Sequence, residues 1–177
     1  RPVNLVSMNG PEVTTIRGDG MRCVYVDNGA VLSGFTLTKG VTTRCDLDGW
    51  SDIFPKCTED HDYCGGGAYC ETNGMVTNCI ITSNYAAYKG GGVYGGIVRY
   101  SIIRSNSVHG DGCGAANAVM DHCVIVNNYG DEYDYVGGGG VYGGILNDCL
   151  IASNVCLYAG GGATDEELKE NPPPFNY

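Results

Sequence analysis

A repeat of 22 to 26 residues is the feature that most limits what this chain can fold into. Asparagine recurs with spacings of 22, 22 and 26 residues, at Asn84, Asn106, Asn128 and Asn154. Five residues before each asparagine stands a small side chain, at Cys79, Ser101, Cys123 and Cys149. A degenerate earlier copy, AVLSGFTLTKG, has Phe35 and Gly40 at these two places. Self-similarity at such a period indicates a solenoid, in which each repeat forms one coil.

The secondary structure within each repeat is predicted to be short strands. Apolar residues alternate over a few positions and are then interrupted by glycine or asparagine, which is typical of strands separated by turns. No helical period is sustained before DEELKE at 165–170. A left-handed hexapeptide coil needs only about 18 residues. The sequence therefore predicts an all-β, right-handed parallel β-helix of about 5–6 coils over residues 1–163, with an insertion at about 41–63 and a non-repeat tail at 164–177.

Stacking of coils predicts columns of equivalent residues, because neighbouring strands lie about 4.8 Å apart. One inward column is expected to contain Leu32, Val76, Val98, Met120 and Leu146, and a second Leu37, Ile81, Ile103, Ile125 and Ile151. The column of Phe35, Cys79, Ser101, Cys123 and Cys149 should lie between them. The repeat asparagines are expected to form an inward ladder in which each amide bonds the next coil. The GGG runs should mark another corner, where close packing excludes a Cβ atom and positive φ is often needed.

Several segments resemble a known group of repeat proteins. These are MNGPEVTTIRG, MRCVYVDNGAVLSGFTLTKG, GGGAYCETNGMVTNCIITSN and GGGVYGG. Over roughly residues 3–163 the chain looks like the right-handed parallel β-helix repeat proteins of Verrucomicrobia, Planctomycetes and related bacteria. The resemblance implies a secreted or surface-attached bacterial protein and says almost nothing about chemistry. The insertion, the tail and the short length depart from the pattern of that group.

Composition disfavours several partners and suggests a location. With a formal charge of −10 and only ten lysines and arginines scattered along the chain, binding to a phosphate backbone is not expected. No apolar run approaches twenty residues, so no membrane span is expected. Ten cysteines are heavy usage for a reducing cytosol. They predict a secreted, extracellular or cell-surface protein in which some cysteines form disulfides.

An apolar stripe is predicted on the outer face of the solenoid. The positions between the inward columns should face solvent, yet they hold Ile80, Ile102, Val124 and Leu150. A continuous apolar patch of this kind usually marks an interaction site. Either the insertion or the tail folds over the stripe, or another copy of the chain covers it.

The two ends of the stack are expected to expose unpaired strand edges. The tail either caps the last coil through DEELKE or runs along a neighbouring subunit, with Phe175 and Tyr177 as anchors. In the second case the ends stack head to tail on another copy, and such a contact does not close, so it builds a filament. The sequence thus favours a structural, self-associating subunit whose partner is itself.

Cysteines and acidic loops raise the questions of bridges and bound ions. Thiols in the inward column are expected to pack as small hydrophobes. Four other cysteines surround the insertion, at Cys45, Cys57, Cys64 and Cys70. A disulfide between Cys45 and Cys57 is the first choice, although sequence cannot rank the three pairings. No cofactor is expected, and calcium is the one ion for which acidic residues at 46–62 and 131–134 offer oxygen ligands.

Two outward groups of side chains keep a carbohydrate-binding or polysaccharide-cleaving module open as the alternative. Stacking should place Arg99 beside Asp121, and His122 beside Asp148, although cross-coil charge pairing explains this arrangement equally well. Tyrosines that could stack on sugars or pack laterally form a column of Tyr69, Tyr94 and Tyr142, interrupted by Ala116. Five to six coils make a rod only about 25–30 Å long, which is short for a sugar-binding groove. An enzyme is therefore not the preferred interpretation.

Overall fold

The computed structural model describes residues 1–42, 62–130, 137–156 and 160–164, which form short parallel strands in four sheets. Sheet A contains β1 (Asn4–Val6), β4 (Val31–Ser33), β7 (Met75–Thr77), β11 (Ile97–Arg99), β15 (Val119–Asp121) and β19 (Ile145–Asn147). Sheet B contains β2 (Thr15–Arg17), β5 (Thr36–Thr38), β8 (Ile80–Thr82), β12 (Ile102–Arg104), β16 (Val124–Val126) and β20 (Leu150–Ala152). Sheet C contains β3 (Val24–Val26), β6 (Ala68–Cys70), β10 (Val93–Tyr94), β14 (Ala115–Ala116), β18 (Val141–Tyr142) and β21 (Ala163–Thr164). Sheet D contains β9 (Tyr85–Ala86), β13 (Ser107–Val108) and β17 (Tyr129–Gly130).

Each coil contributes one strand to each of sheets A, B and C before the next coil begins. In the three coils with a sheet D strand, that strand lies between the strands of sheets B and C in the chain. All pairings are parallel and keep one register, so that Val98 of β11 pairs with Val76 on one side and with Met120 on the other. Six strands in each of three sheets give about six turns of a parallel β-solenoid. The all-β parallel β-helix predicted from the repeat is therefore confirmed, and the described residues contain almost no helix.

The core includes the predicted inward columns, and it also contains a column of sheet C that the sequence did not indicate, formed by Ala68, Val93, Ala115 and Val141. Leu37, Ile81, Ile103 and Ile125 are fully buried, as are Val76, Val98 and Met120 in the neighbouring column. Phe35, Cys79, Ser101 and Cys123 are also buried, so these members of the intermediate column lie in the interior. The members of these columns in the last coil are less covered: Leu146 is 36% exposed, and Cys149 and Ile151 are half-buried. This coil has a paired strand on one side only in sheets A and B.

The repeat asparagines form the expected ladder, and their amides are hydrogen-bonded in both directions along the stack. Asn106 Oδ1 accepts from the backbone N–H and from Nδ2 of Asn84, both at 3.0 Å. Its own Nδ2 donates to Asn128 Oδ1 and to the carbonyl oxygen of Ile81, also at 3.0 Å. In the same way, Asn154 Oδ1 accepts from the backbone N–H and from Nδ2 of Asn128, both at 2.9 Å. A buried amide whose donors and acceptor are all used can stabilise a turn that an apolar side chain could not.

A column of glycines packs directly against this ladder. A Cβ atom on Gly92 would lie 2.5 Å from the carbonyl oxygen of Gly114, 2.9 Å from Asn106 Nδ2 and 3.0 Å from Ile103 Cγ2. A Cβ atom on Gly67, Gly114 or Gly140 would meet the corresponding atoms of the following coil at similar distances. The predicted glycine corner is therefore confirmed, and its physical cause is the close approach of a backbone carbonyl oxygen and an asparagine amide, which together fill the space of a side chain.

The insertion leaves the solenoid between the sheet D and sheet C positions of its coil. Val41 forms a parallel bridge with Tyr85 of sheet D. Thr42 Oγ1 donates to the carbonyl oxygen of Tyr63 at 2.9 Å, so the two ends of the insertion are in contact with each other. The last described strand ends at Thr164, and the rest of the predicted tail lies outside the described residues.

Candidate functional site

The apolar stripe on sheet B is only partly exposed. Its members stack in register, as predicted. Ile80, however, is buried, and Val124 is half-buried. Exposure is greatest in the last coil, where 58% of Leu150 faces solvent, compared with 38% of Ile102. Phe175 and Tyr177, the other residues predicted for self-association, lie outside the described residues.

Sheet A carries a second outward apolar column that the sequence interpretation did not include. Its members are Val31, Met75, Ile97, Val119 and Ile145, which pair in register. The first three are half-buried, whereas Val119 and Ile145 are exposed. The signal was present in the sequence as the doublets Ile97-Val98 and Ile145-Leu146, which have the same form as Ile80-Ile81 in sheet B.

The two ends of the described stack expose residues that belong to the interior columns. Leu5 begins the column of Leu32 and is 49% exposed, and Leu146 ends that column. Among the described strands, β1 pairs only with β4, and β19 pairs only with β15. Each end therefore presents both apolar side chains and a strand edge whose backbone groups have no paired strand in the described part of the chain.

A cluster of polar side chains lies at the corner between sheets A and B. His122 Nδ1 lies 2.8 Å from Asp121 Oδ1, and His122 Nε2 lies 4.0 Å from Asp148 Oδ2. Arg99 Nε approaches Asp121 Oδ2 at 3.7 Å. The neighbours predicted from stacking are therefore confirmed. Because the side chains are substantially exposed, the ion pairs contribute little to stability.

The backbone of this corner explains how the cluster is positioned. Tyr100, His122 and Asp148 occupy equivalent places in successive coils and all have left-handed backbone, with φ of +48°, +53° and +47°. The His122 N–H donates to the carbonyl oxygen of Asn147, and the Tyr100 N–H donates to that of Asp121. Stacked coils thus hold an uncommon conformation in place. The Tyr100 and His122 rings are 5.2 Å apart.

One group in the described part of the chain has the composition of a metal site. Asp121, His122 and Asp148 each offer a ligand atom, and these atoms lie within 4.8 Å of one another. An imidazole nitrogen with two carboxylates suits a divalent transition metal. In this arrangement, however, Nδ1 of His122 already contacts Asp121, and the Arg99 cation lies beside the same carboxylate. The acidic segments proposed for calcium lie largely outside the described residues.

The tyrosine column is longer at one end than the sequence indicated, because Tyr25 precedes Tyr69. The rings of Tyr25 and Tyr69 stack at 5.4 Å, and those of Tyr69 and Tyr94 at 5.3 Å. Tyr142, on the far side of Ala116, is only 2% exposed. Since successive rings cover one another's faces, mainly their edges and hydroxyl groups are left to contact solvent. This geometry is typical of lateral packing, and it gives little ring face on which a sugar could stack.

The cysteines behave mostly as interior apolar groups. No disulfide joins two of the eight described cysteines, and Cys45 and Cys57 lie outside the described residues. Burial raises the pKa of Cys123 and of Cys23 to about 11, and that of Cys70 and of Cys113 to about 12. These thiols are therefore protonated at neutral pH and poor nucleophiles.

Comparisons with known proteins add no family to the fold. No family model matches the chain, and neither the curated proteins nor the solved structures contain a match. The described residues include no helix with the length and apolar character required to cross a membrane. The class of protein is thus defined by the fold itself, a parallel β-solenoid of about six turns.

Proposed function

We propose that the chain is a structural β-solenoid subunit that associates head to tail with other copies of itself. The observation that carries the proposal is the exposure of interior-column residues at both ends of the described stack, Leu5 at one end and Leu146 at the other. In a continuous solenoid these positions are buried by the next coil. Covering them with a second copy removes apolar surface from water, which is the main driving force of association.

The register of the two ends supports this arrangement. The column that ends at Leu146 begins at Leu5, and the column that ends at Ile151 begins at Ile16. If β19 of one copy pairs with β1 of the next, leucine stacks on leucine and, in sheet B, isoleucine on isoleucine. Such a contact joins different surfaces and does not close, so repeated association builds a filament.

Gly162→Ala tests the proposal, because the added methyl group meets no described atom in the single chain but would collide with the next copy in a head-to-tail stack. No described atom lies within 4 Å of a Cβ built on Gly162, whereas the equivalent Cβ on Gly140 meets the carbonyl oxygen of the next coil at 2.7 Å. We expect the natural chain to form fibres in negative-stain images and the variant to remain short. Since the formal charge of −10 opposes association, assembly should increase with salt as repulsion is screened.

Thr72→Ala, at an exposed residue away from the coil ends, is the control and should assemble like the natural chain. A second variant, Leu5→Glu, places a charge at the opposite end and should give the same loss of fibres. Circular dichroism checks that both variants keep their strands. A natural chain that stays at 18.7 kDa by light scattering at all concentrations and salt levels contradicts the proposal.

A location outside the cell or at its surface is part of the proposal, and its support is the count of ten cysteines. The interior thiols weaken this support, because Cys79 and Cys123 are buried as small apolar groups without a described disulfide. Fractionation of cells that express the full-length gene product, followed by detection with an antibody, measures the location directly.

A second candidate function is the binding or cleavage of a carbohydrate, favoured by the corner cluster alone. The contact of Nδ1 with Asp121 leaves Nε2 of His122 facing Asp148, an arrangement suited to proton transfer. For this candidate we expect His122→Asn to abolish retention or reducing-end release on a panel of polysaccharides. Asparagine tolerates the left-handed backbone, and Arg104→Ala on the neighbouring exposed face is the control. No retention or release by the natural chain rules the candidate out.

A further inference from the structure

Two tyrosines near the N-terminal end of the stack lie in direct ring contact on adjacent coils. Tyr25 in β3 and Tyr69 in β6 are paired residues of sheet C, and their rings are 5.4 Å apart and inclined by only 11°. Half of the surface of Tyr25 is exposed, so this ring is accessible to a reagent or an enzyme in solution. The two rings are therefore already in contact, and one of them can be reached from solution.

The hydroxyl group of Tyr25 donates a hydrogen bond to the Glu71 carboxylate. This hydrogen bond is the main reason that the pKa of Tyr25 is raised to about 12, and the group is a neutral phenol at physiological pH. A phenol loses an electron far more readily when its proton can move at the same time to a base in contact. Glu71 is placed to receive that proton.

Arg22 lies over the ring of Tyr69, and its charge also acts on Tyr25. Its guanidinium group lies 5.4 Å from the centre of the Tyr69 ring and donates to the carbonyl oxygens of Cys64 and Gly65 at 2.8 and 2.9 Å. A positive charge over a ring opposes removal of an electron from it. Tyr25, with its carboxylate partner, is therefore oxidised first.

We propose that Tyr25 and Tyr69 form an oxidative cross-linking site, at which a one-electron oxidant such as a haem peroxidase with hydrogen peroxide joins the two rings. Each phenol loses one electron and one hydroxyl proton, Glu71 takes the proton of Tyr25, and solvent takes that of Tyr69. The two phenoxyl radicals couple through a carbon–carbon bond between ortho positions, and each ortho hydrogen then moves to the phenol oxygen. Overall two electrons and two protons reduce one hydrogen peroxide to two waters.

The cross-link would fasten the first coil to the second. The segment between Tyr25 and Tyr69 includes the insertion, and the coil that carries Tyr25 also carries the half-exposed Leu5. Closing this loop removes conformations from the unfolded chain, so the cross-linked protein is expected to melt at a higher temperature. This inference does not depend on head-to-tail association and is tested on dilute, monomeric protein.

The test treats the purified full chain with horseradish peroxidase and hydrogen peroxide. The expected product is a monomer whose mass is lower by two hydrogens, with dityrosine fluorescence and a peptide map that joins Tyr25 to Tyr69. Tyr25→Phe should remove this product. Tyr100→Phe, at an exposed ring that stacks on a histidine rather than a tyrosine, should leave it unchanged.

The Glu71→Gln variant tests whether Glu71 acts as the proton acceptor or whether the exposure of Tyr25 alone explains the cross-link. At neutral pH this variant should cross-link roughly tenfold more slowly, because the base is lost. Without the carboxylate the pKa of Tyr25 falls toward its ordinary value, so near pH 11 the variant should match or exceed the natural chain. Links found mainly between Tyr69 and Tyr94 or between molecules, unchanged yield in Tyr25→Phe, or no effect of Glu71→Gln at any pH would each overturn the assignment.

Discussion

Replacing Asn106 with alanine is expected to lower the free energy of unfolding by about 4–6 kcal/mol, a large part of the stability of an ordinary domain. The side chain makes four hydrogen bonds, two with Asn84 and one each with Ile81 and Asn128. All three neighbours would lose a partner in a buried turn, where water cannot replace it. Urea denaturation followed by circular dichroism measures the change.

Two further variants make this prediction specific to the ladder. Asn147→Ala, at an exposed residue of β19, should change the free energy of unfolding by no more than about 0.5 kcal/mol. Asn106→Asp keeps the shape but turns a donor into an acceptor that faces other acceptors, so the pKa of the new carboxyl is raised in the folded state. Its penalty should be smallest near pH 4, where a protonated carboxyl still donates one of the two hydrogen bonds, and should grow as the pH rises, since the unfolded state then holds fewer protons than the folded one. A loss in Asn106→Asp that is the same at pH 4 and pH 7 would contradict the prediction.

The second large effect is expected for Gly92→Ala, which should cost about 2–4 kcal/mol in the same assay. The added methyl group would meet the Gly114 carbonyl oxygen at 2.5 Å and the Asn106 amide nitrogen at 2.9 Å. Neither group can move without breaking hydrogen bonds between coils. Gly92 does not have positive φ, so the cost comes from packing and not from backbone strain.

Gly162→Ala is the matched control, because Gly162 holds the same place in the last described coil. With no described atom within 4 Å of the added carbon, the substitution should be neutral or stabilise the single chain by up to about 1 kcal/mol. Equal losses in Gly92→Ala and Gly162→Ala under monomeric conditions would show that packing between coils is not the cause.

Much of the fold was predictable because strand alternation is local and the repeat is nearly constant. Once Val76, Val98 and Met120 are aligned by the 22-residue period, each must face the same way and stack on the next. The proximity of His122 to Asp148 follows from the same alignment, although these residues are 26 positions apart. A residue's place along the repeat thus determines its column.

The properties of the outer surface were less predictable. Ile80 and Leu150 occupy the same outward column, yet one is buried and the other is more than half exposed. Tyr25 was missed because the first coil has no GGG run to align it with Tyr69. Exposure depends on how far each coil is covered by its neighbours, and a periodic sequence pattern carries no information about a residue's position along the stack.

The sequence by itself thus determined the solenoid, its columns and the asparagine ladder, because these require only that equivalent residues stack. The tertiary structure decided which surfaces are apolar and open, how the tyrosine rings face one another, and why glycine is needed opposite each asparagine. Gly92 and Asn106 belong to adjacent coils, and they meet only when three sheets close around one core. That closure is set by the packing of all the coils together, which no single repeat specifies.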